Sequence, residues 1–474
     1  MNNQEVTIRH KRDIIDYVNN NPSSRKGLLI VLVALGGVFV DAYDFASLAI
    51  GIDQITEQFG LTPFEVGSLT AVMAVGALLG AFFGGVLTDK IGRNKMFTLT
   101  LILLVISAFG VALSFNLASL IIFRFLLGVG VGLDVPVALS FIAEVSNTKR
   151  KGQMVNLWQP MWYAAASFTG LVILPLYFFG AEENLWRYAV GFGGVAALVI
   201  LLLRLKYMDE SPMWAANNLS LEEASKVLEK TYDIKVRLNK IKTIENKEKE
   251  SKPSLSMIFS KRYRVRTFLA SMIASTQSIE YFAVGFYIPT ISILIFGKGI
   301  IYGIIGTLLF NFFGIVGGLT QSFATSKLGI RKLAIIGYTI VCICLLTLGL
   351  MGDNLPLILT TLLVGGFIFG HSFGPGSQGM SFATLSYPTS LRGIGSGWGQ
   401  TMVRVGSIIG FLFFPIVLSL LGLHKTLLVL TIVPLLGLIC TLAIQWDPTM
   451  IDIENEDEEE NESAVLQRRN TQNL

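Results

Sequence analysis

TDKIGRNK at residues 88–95 and TSKLGIRK at residues 325–332 are one short pattern met twice, half a chain length apart. Each copy is basic, turns on a glycine and joins two long apolar runs. The likeness continues downstream: Lys151-Gly152 is answered by Arg392-Gly393, and Gln159 by Gln400 at the same separation. A chain that repeats its loops in this way is a doubled unit. Its copies are not identical, because Ser326 stands where the first copy has Asp89.

The flanking runs are of membrane length. Of 474 residues 52% are hydrophobic and only 15% charged, with a mean hydropathy of +0.61, which excludes an ordinary soluble globule. Crossing a hydrocarbon core of about 30 Å takes roughly 20 apolar residues in helix. Twelve runs qualify, at 27–50, 64–87, 96–114, 120–143, 155–178, 186–207, 266–294, 300–324, 333–352, 354–383, 394–421 and 425–445. The expected fold class is therefore all-α, a polytopic membrane protein with two pseudo-symmetric bundles of six helices. The first run is too long for a cleavable signal and carries two carboxylates. The 47 glycines suit helices that pack backbone to backbone.

Charge sets the orientation. Of 37 Lys and Arg residues, 32 fall in segments on the side of the N-terminus and three, Arg187, Lys298 and Lys425, on the other. The bias of Lys and Arg toward the cytoplasm puts both termini there. The net charge of +4 then reports topology and excludes a nucleic-acid surface. Expected boundaries are a cytoplasmic N-terminal segment, 1–26; a first bundle, 27–207; a cytoplasmic central loop, 208–264; a second bundle, 265–445; and an acidic cytoplasmic tail, 446–474. Ser220 and Glu223 form a capping box, so part of the central loop is expected to be a surface helix. The run from Ile451 is expected to be solvated. Cys342, Cys344 and Cys440 lack metal-ligand spacing and read as small packing residues.

GGVLTDKIGRNKMF, between the second and third runs, resembles the loop signature of the major facilitator superfamily, matched here by Gly85, Asp89, Lys90, Gly92, Arg93 and Lys95. RFLLGVGVGLDVPVALSFIAE with its following KRKG, and YMDESPMW after the sixth run, are similar to elements of the sugar and metabolite porter branch; Asp209 and Met213 depart from the last of these. The resemblance covers all twelve runs. It implies alternating access between two six-helix bundles, with Gly85, Asp89, Lys90, Gly92 and Arg93 at a cytoplasmic gate. Repeats of this kind place the substrate site at their interface near the bilayer midplane. The glycines of GVGVG follow no strand, so helix packing suits them better than a dinucleotide loop.

Charges inside apolar runs are costly and mark pathways or partners. Here they are Asp41, Asp44, Arg124, Asp134, Glu280, His371 and Arg404. Arg124 and Asp134 lie about 15 Å apart along a helix, so Arg124 needs another partner, and the first run supplies two carboxylates. The set Asp41, Asp44, Arg124 and Asp134 resembles that of phosphate and aromatic-acid porters, which implies proton coupling. The bland reading of Asp41 or Asp44 is a neutralised pair with Arg124 that holds two helices. Phosphate fits poorly, because Val135, Ile279 and Ala283 replace the residues expected and only Tyr287 is kept.

Arg404 lies in SGWGQTMVRVGSIIG, a setting similar to that of aromatic-acid symporters and animal organic anion transporters, where an arginine here is linked to anionic substrate. Its other reading is a pair with Glu280. Gln159, Gln277, Glu280, Tyr281, Tyr287, Gln400 and Arg404 are the candidate substrate-binding set; His371 is read as a core histidine or a proton relay.

The function expected is a proton-coupled symporter of a small organic metabolite, with a carboxylate favoured, in the plasma membrane. The alternatives are a proton-coupled sugar porter and a non-transporting sensor of the same fold. The partners are a small-molecule substrate, protons and the lipid bilayer, and the chain is expected to work as a monomer. No enzyme chemistry, cofactor or metal site is expected, since the sequence offers no nucleotide loop, ligand cluster or nucleophile with a base.

Overall fold

A computed structural model of the chain describes residues 5–21, 27–179, 184–239, 254–285, 300–449 and 451–454, with positions 288, 292, 296 and 297. The elements are β1 (Glu5–Ile8), α1 (Lys11–Asn20), α2 (Gly27–Ala34), α3 (Gly36–Phe59), α4 (Pro63–Ile91), α5 (Arg93–Ala112), α6 (Leu117–Glu144), α7 (Lys151–Val155), α8 (Trp158–Phe178) and α9 (Leu185–Tyr207). They continue with α10 (Pro212–Asn218), α11 (Leu221–Tyr232), β2 (Lys235–Leu238), a 3-10 turn (Leu255–Phe259), α12 (Arg264–Val284), α13 (Ile300–Met351), α14 (Leu357–Phe373), α15 (Pro375–Leu385), α16 (Thr389–Leu430) and α17 (Ile432–Ala443).

Local chemistry sets the helix limits. Thr62 caps α4 in a capping box with Glu65, and Pro63 occupies the first helical position, where its missing N–H costs nothing. Gly60, in the left-handed region at φ 61, ends α3. The loops that the sequence reads between adjacent runs are tighter than expected: α13 carries two runs joined at Gly329 (φ 78), and α16 two joined at Gly422 (φ 74). Gly128 and Gly132 let α6 lie against the backbone of α4 at Met73 and Ala77, where any side chain would collide.

Among the described residues eight helices are long and apolar enough to cross a membrane, one of them, Ile305–Met351, long enough for two crossings. The runs expected at 155–178, 266–294 and 394–421 form α8, α12 (described as helix to Val284) and the first part of α16, and are absent from those eight. These three helices carry Gln159, Gln277, Gln400 and Arg404. The halves meet where α4 and α6 face α16 and where α8 faces α13.

Three features depart from the sequence reading. The N-terminal segment and the central loop are not plain connectors, because β1 pairs in parallel with β2 in the register Glu5↔Lys235. Ile8, Ile14, Ile15, Val18, Ala224 and Leu228 make a small separate core between them. The tail from Ile451 is not wholly solvated: Ile453 and Glu454 are buried. Glu454 accepts hydrogen bonds from the Thr389 amide and hydroxyl, both at 2.7 Å, and from Arg392 at 2.8 Å. Finally, Arg204, read from sequence as a loop cation, is buried in the last turn of α9. The end of the bundle that carries β1, α1 and α10 is called the terminal end below.

Candidate functional site

A cavity lies between the halves, lined from α3, α6 and α8 on one side and from α12, α14 and α16 on the other. Its aromatic wall is Trp158, Trp162, Tyr281 and Phe282. Its polar groups are Asp41, Gln159, Gln277, His371, Gln400 and Arg404. A largely apolar concavity with a few converging polar groups is the usual form of a small-molecule site.

One ion pair crosses this cavity. Arg404 Nη2 donates to Asp41 Oδ2 at 2.6 Å, joining α16 to α3, and both side chains are almost wholly buried. With its amide oxygen turned toward the guanidinium, Gln400 accepts from Arg404 Nε at 3.3 Å and Nη2 at 3.0 Å. The helical spacing of Gln400 and Arg404, four residues, places them on one face. Asp41 Oδ1 has no hydrogen-bond partner among the described residues.

The pair Arg404–Glu280, one of the two readings offered for Arg404, is absent. Glu280 instead meets His371, with Oε1 at 3.0 Å from Nδ1, and lies off the cavity wall while His371 lines it. Tyr281 stacks on His371 at 4.7 Å between ring centroids, and its hydroxyl accepts from the Trp162 indole at 3.2 Å. Tyr287 lies outside the described residues.

Asp134 does not join the other first-half charges as a free acid. Arg204 holds it in a two-point pair at 2.5 and 2.9 Å, and Thr100 donates to it at 2.7 Å. Arg204 also donates to the carbonyls of Val33 and Ala34 and sits 4.2 Å over the Phe97 ring. Gly37 leaves the space the Asp134 carboxylate fills. This correction follows from the sequence count, which assigned Arg204 to a loop and so removed the natural partner. Asp44 and Arg124 are both buried and near enough to attract each other, yet neither carboxylate oxygen of Asp44 and neither Nε nor Nη1 of Arg124 has a hydrogen-bond partner among the described residues.

At the terminal end the loop motif makes contacts across the halves. Asp89 accepts from the amides of Gly393 at 3.1 Å and Ile394 at 2.9 Å, in the second turn of α16. Arg93, wholly buried, donates to Glu144 at 2.7 and 3.0 Å, to Asp89 at 3.0 Å and to the Thr88 carbonyl at 2.9 Å. Gly85 sits where a Cβ would meet Ile394 Cα at 3.0 Å, and Gly92 takes φ 103 to start α5. Lys90 is exposed and does not join the cluster. Glu210 caps α5 through the amides of Arg93 (2.9 Å) and Asn94 (3.2 Å); burial nonetheless raises its pKa above the usual carboxylate range. Burial, with Arg392 nearby, pushes the Lys151 ammonium down to about 8.

The aromatic residues that sequence reasoning missed at the cavity are Trp158, Trp162 and Phe282, although the spacing of the two tryptophans in WQPMW, four apart beside Gln159, was a readable signal. His371 was read only as core or relay, since nothing in the sequence placed it on the wall.

Comparison with known proteins agrees with this architecture. Residues 29–445 match the family described as Sugar (and other) transporter. The inner membrane metabolite transport protein YgcS of Escherichia coli is 27% identical over 90% of this chain and 92% of its own. The niacin transporter NiaP of Acinetobacter baylyi is 24% identical over 92% of this chain and 98% of its own. Among solved structures, the proton:xylose symporter XylE bound to 6-bromo-6-deoxy-D-glucose superposes with a TM-score of 0.75 at 19% identity, covering 90% of this chain and 97% of that one. The protein is thus a multi-pass membrane transporter and no enzyme, and it belongs to the Sugar (and other) transporter family.

Proposed function

We propose that the protein is a proton-coupled symporter that carries a small organic carboxylate across the plasma membrane by alternating access, as a monomer with both termini in the cytoplasm. The observation that carries this reading is the Asp41–Arg404 pair inside the cavity. A guanidinium stays charged at any working pH and matches a carboxylate with two parallel donors. A substrate carboxylate that takes Arg404 must displace Asp41, and a buried carboxylate without a partner is strongly disfavoured. A proton on Asp41 removes that conflict. Anion and proton then enter together, which is the definition of coupling.

In this scheme the Asp44–Arg124 pair passes that same proton to and from Asp41, since a desolvated carboxylate facing a fixed cation gains and loses its proton as the site rehydrates. Gln159, Gln277 and Gln400 orient the substrate, and Trp158, Trp162 and Tyr281 hold its body. Asp89, Arg93 and Gly85 gate the cytoplasmic side. The niacin transporter among the relatives supports the acid class, niacin being an aromatic carboxylate.

The deciding experiment is equilibrium binding of a transported acid and its neutral amide to wild type, Arg404→Ala and Asp41→Asn. Truncating one side of a buried charge pair costs about 2 to 5 kcal/mol, roughly 30- to several-thousand-fold. Arg404→Ala is expected to lose that much for the acid alone. Asp41→Asn is expected to make acid binding independent of pH. If acid and amide weaken equally in Arg404→Ala, the acid reading fails. The second reading is then a sugar, favoured by the three amides of Gln159, Gln277 and Gln400 that line the cavity from both halves.

A further inference from the structure

We infer that Glu280 and His371 form a second proton-binding site, in the half of the molecule opposite Asp44, filled from the central cavity through the imidazole ring. The inference rests on the proton-coupled reading above and extends it to two coupled protons per substrate.

Three observations carry it. Glu280 is wholly buried, its Oε1 lies 3.0 Å from His371 Nδ1, and its Oε2 has no partner among the described residues. No Lys or Arg among the described residues pairs with it, in contrast to Asp41, Asp89 and Asp134, each of which meets a guanidinium. An acid that is buried without a fixed cation is stable only while the pair it forms holds a proton. His371, in turn, lines the cavity, so the pair has one member off the cavity and one on its wall.

The placement of His371 fits this role. It lies three residues before Gly374, where the helix is interrupted between α14 and α15 by a non-helical backbone (φ −121, ψ −108). Interrupted helices at the midplane are where transporters of repeated architecture bind ions and substrates. Gly376 keeps open the space beside His371 Nε2 and the Gln159 amide: a Cβ there would stand 2.5 Å from the first and 2.7 Å from the second. The other groups facing Glu280 are Tyr281 of its own helix, Tyr163 of α8, and Tyr338 and Cys342 of α13, all neutral at working pH.

The proton path balances. With Glu280 ionised, neutral His371 donates its Nδ1 proton to Oε1. A proton arriving from the cavity at Nε2 drives the Nδ1 proton onto Glu280, leaving a neutral acid and a neutral imidazole protonated at Nε2. The pair has gained one proton and no charge remains in the apolar interior. Release runs the same steps backward.

The test uses full-length protein in proteoliposomes with the membrane potential clamped at zero. The slope of the logarithm of the accumulation ratio against the imposed pH difference counts the protons carried. Wild type is expected to give a slope of two and Glu280→Gln a slope of one; His371→Gln keeps a hydrogen-bond donor but cannot pass a proton, and is expected to slow turnover while leaving the slope at two. A wild-type slope of one that Glu280→Gln leaves unchanged overturns the second site alone, whereas a wild-type slope of zero overturns the coupled reading beneath it. Should Glu280→Gln abolish transport, infrared spectra of the purified protein decide: a protonated-carboxyl band at neutral pH that vanishes in Glu280→Gln supports the site, and a spectrum without such a band overturns it.

Discussion

The two halves close on each other at the terminal end along two seams, and the repeat makes them comparable. The first seam is charged: Asp89 binds the Gly393 and Ile394 amides of α16, and Arg392 Nη1 lies 3.7 Å from Glu144. The second seam is neutral. There the Asn156 amide donates to Thr325 at 2.8 Å and to Gln378 at 3.3 Å and accepts from the Ser381 hydroxyl, while Gln321 donates to the Asn156 carbonyl at 3.0 Å and Ser322 to that of Gln153 at 2.8 Å. One position in the repeat accounts for much of the difference. Where the first copy has Asp89, the second has Ser326, whose hydroxyl among the described residues bonds only the Phe323 carbonyl of its own helix at 3.5 Å. A second difference follows the glycine: Arg93 is turned inward to Glu144, whereas Arg331 points to the carbonyls of Thr441, Leu442 and Ile444. Only the caps are shared, Glu210 on the amides after Gly92 and Asp447 on the Arg331 amide at 3.0 Å after Gly329. The lesson is that one seam is strong but conditional on ionised, correctly placed groups, and the other is weaker and always available.

Asp89→Ala is the largest expected break. It strips two cross-half amides of their acceptor and one partner from buried Arg93, a loss of about 2 to 5 kcal/mol for the closed terminal end. Transport turnover at normal surface abundance should fall by more than tenfold, with equilibrium substrate affinity altered only by the population shift. Normal turnover in this variant would remove the charged seam from the gate. Asn156→Ala attacks the neutral seam, where leaving a few buried polar groups unpaired costs about 1 to 3 kcal/mol; a turnover loss smaller than that of Asp89→Ala is expected from the same assay, and a larger one would invert the comparison. Ser326→Asp sharpens it from the other side. Its site is partly exposed, and an exposed charge contact contributes roughly 0 to 1 kcal/mol, so turnover should change by no more than a few-fold. An effect as large as that of Asp89→Ala would mean that the asymmetry does not reside in this side chain.

Much of the architecture was readable because its signals are local. Apolar runs, a repeated loop and caps such as Ser220 with Glu223 depend on a few neighbouring residues. Partner choice among the charges was not readable, because it depends on helix rotation and depth. Asp134 and Arg204 lie 70 positions apart, Asp41 and Arg404 363 apart. From composition alone Arg124 and Glu280 were equally plausible partners for these groups. Arg204 also sat at a run's end, where the apolar pattern does not say whether a cation points to water or turns inward. The small sheet was missed for the same reason: KVRL and EVTI are too short to announce strands, and each needs the other.

That sheet has a consequence for how the chain is made. Glu5 pairs with Lys235, so the first strand leaves the ribosome some 230 residues before its partner. At about 5 to 20 residues per second, the early strand waits roughly ten to fifty seconds. In that interval the first six membrane helices are synthesised, and α1 cannot complete its small apolar core until α11 follows them. The finished module is therefore a record of assembly order, one that forms only after the first half has been threaded, and its protection from protease during synthesis would date that moment.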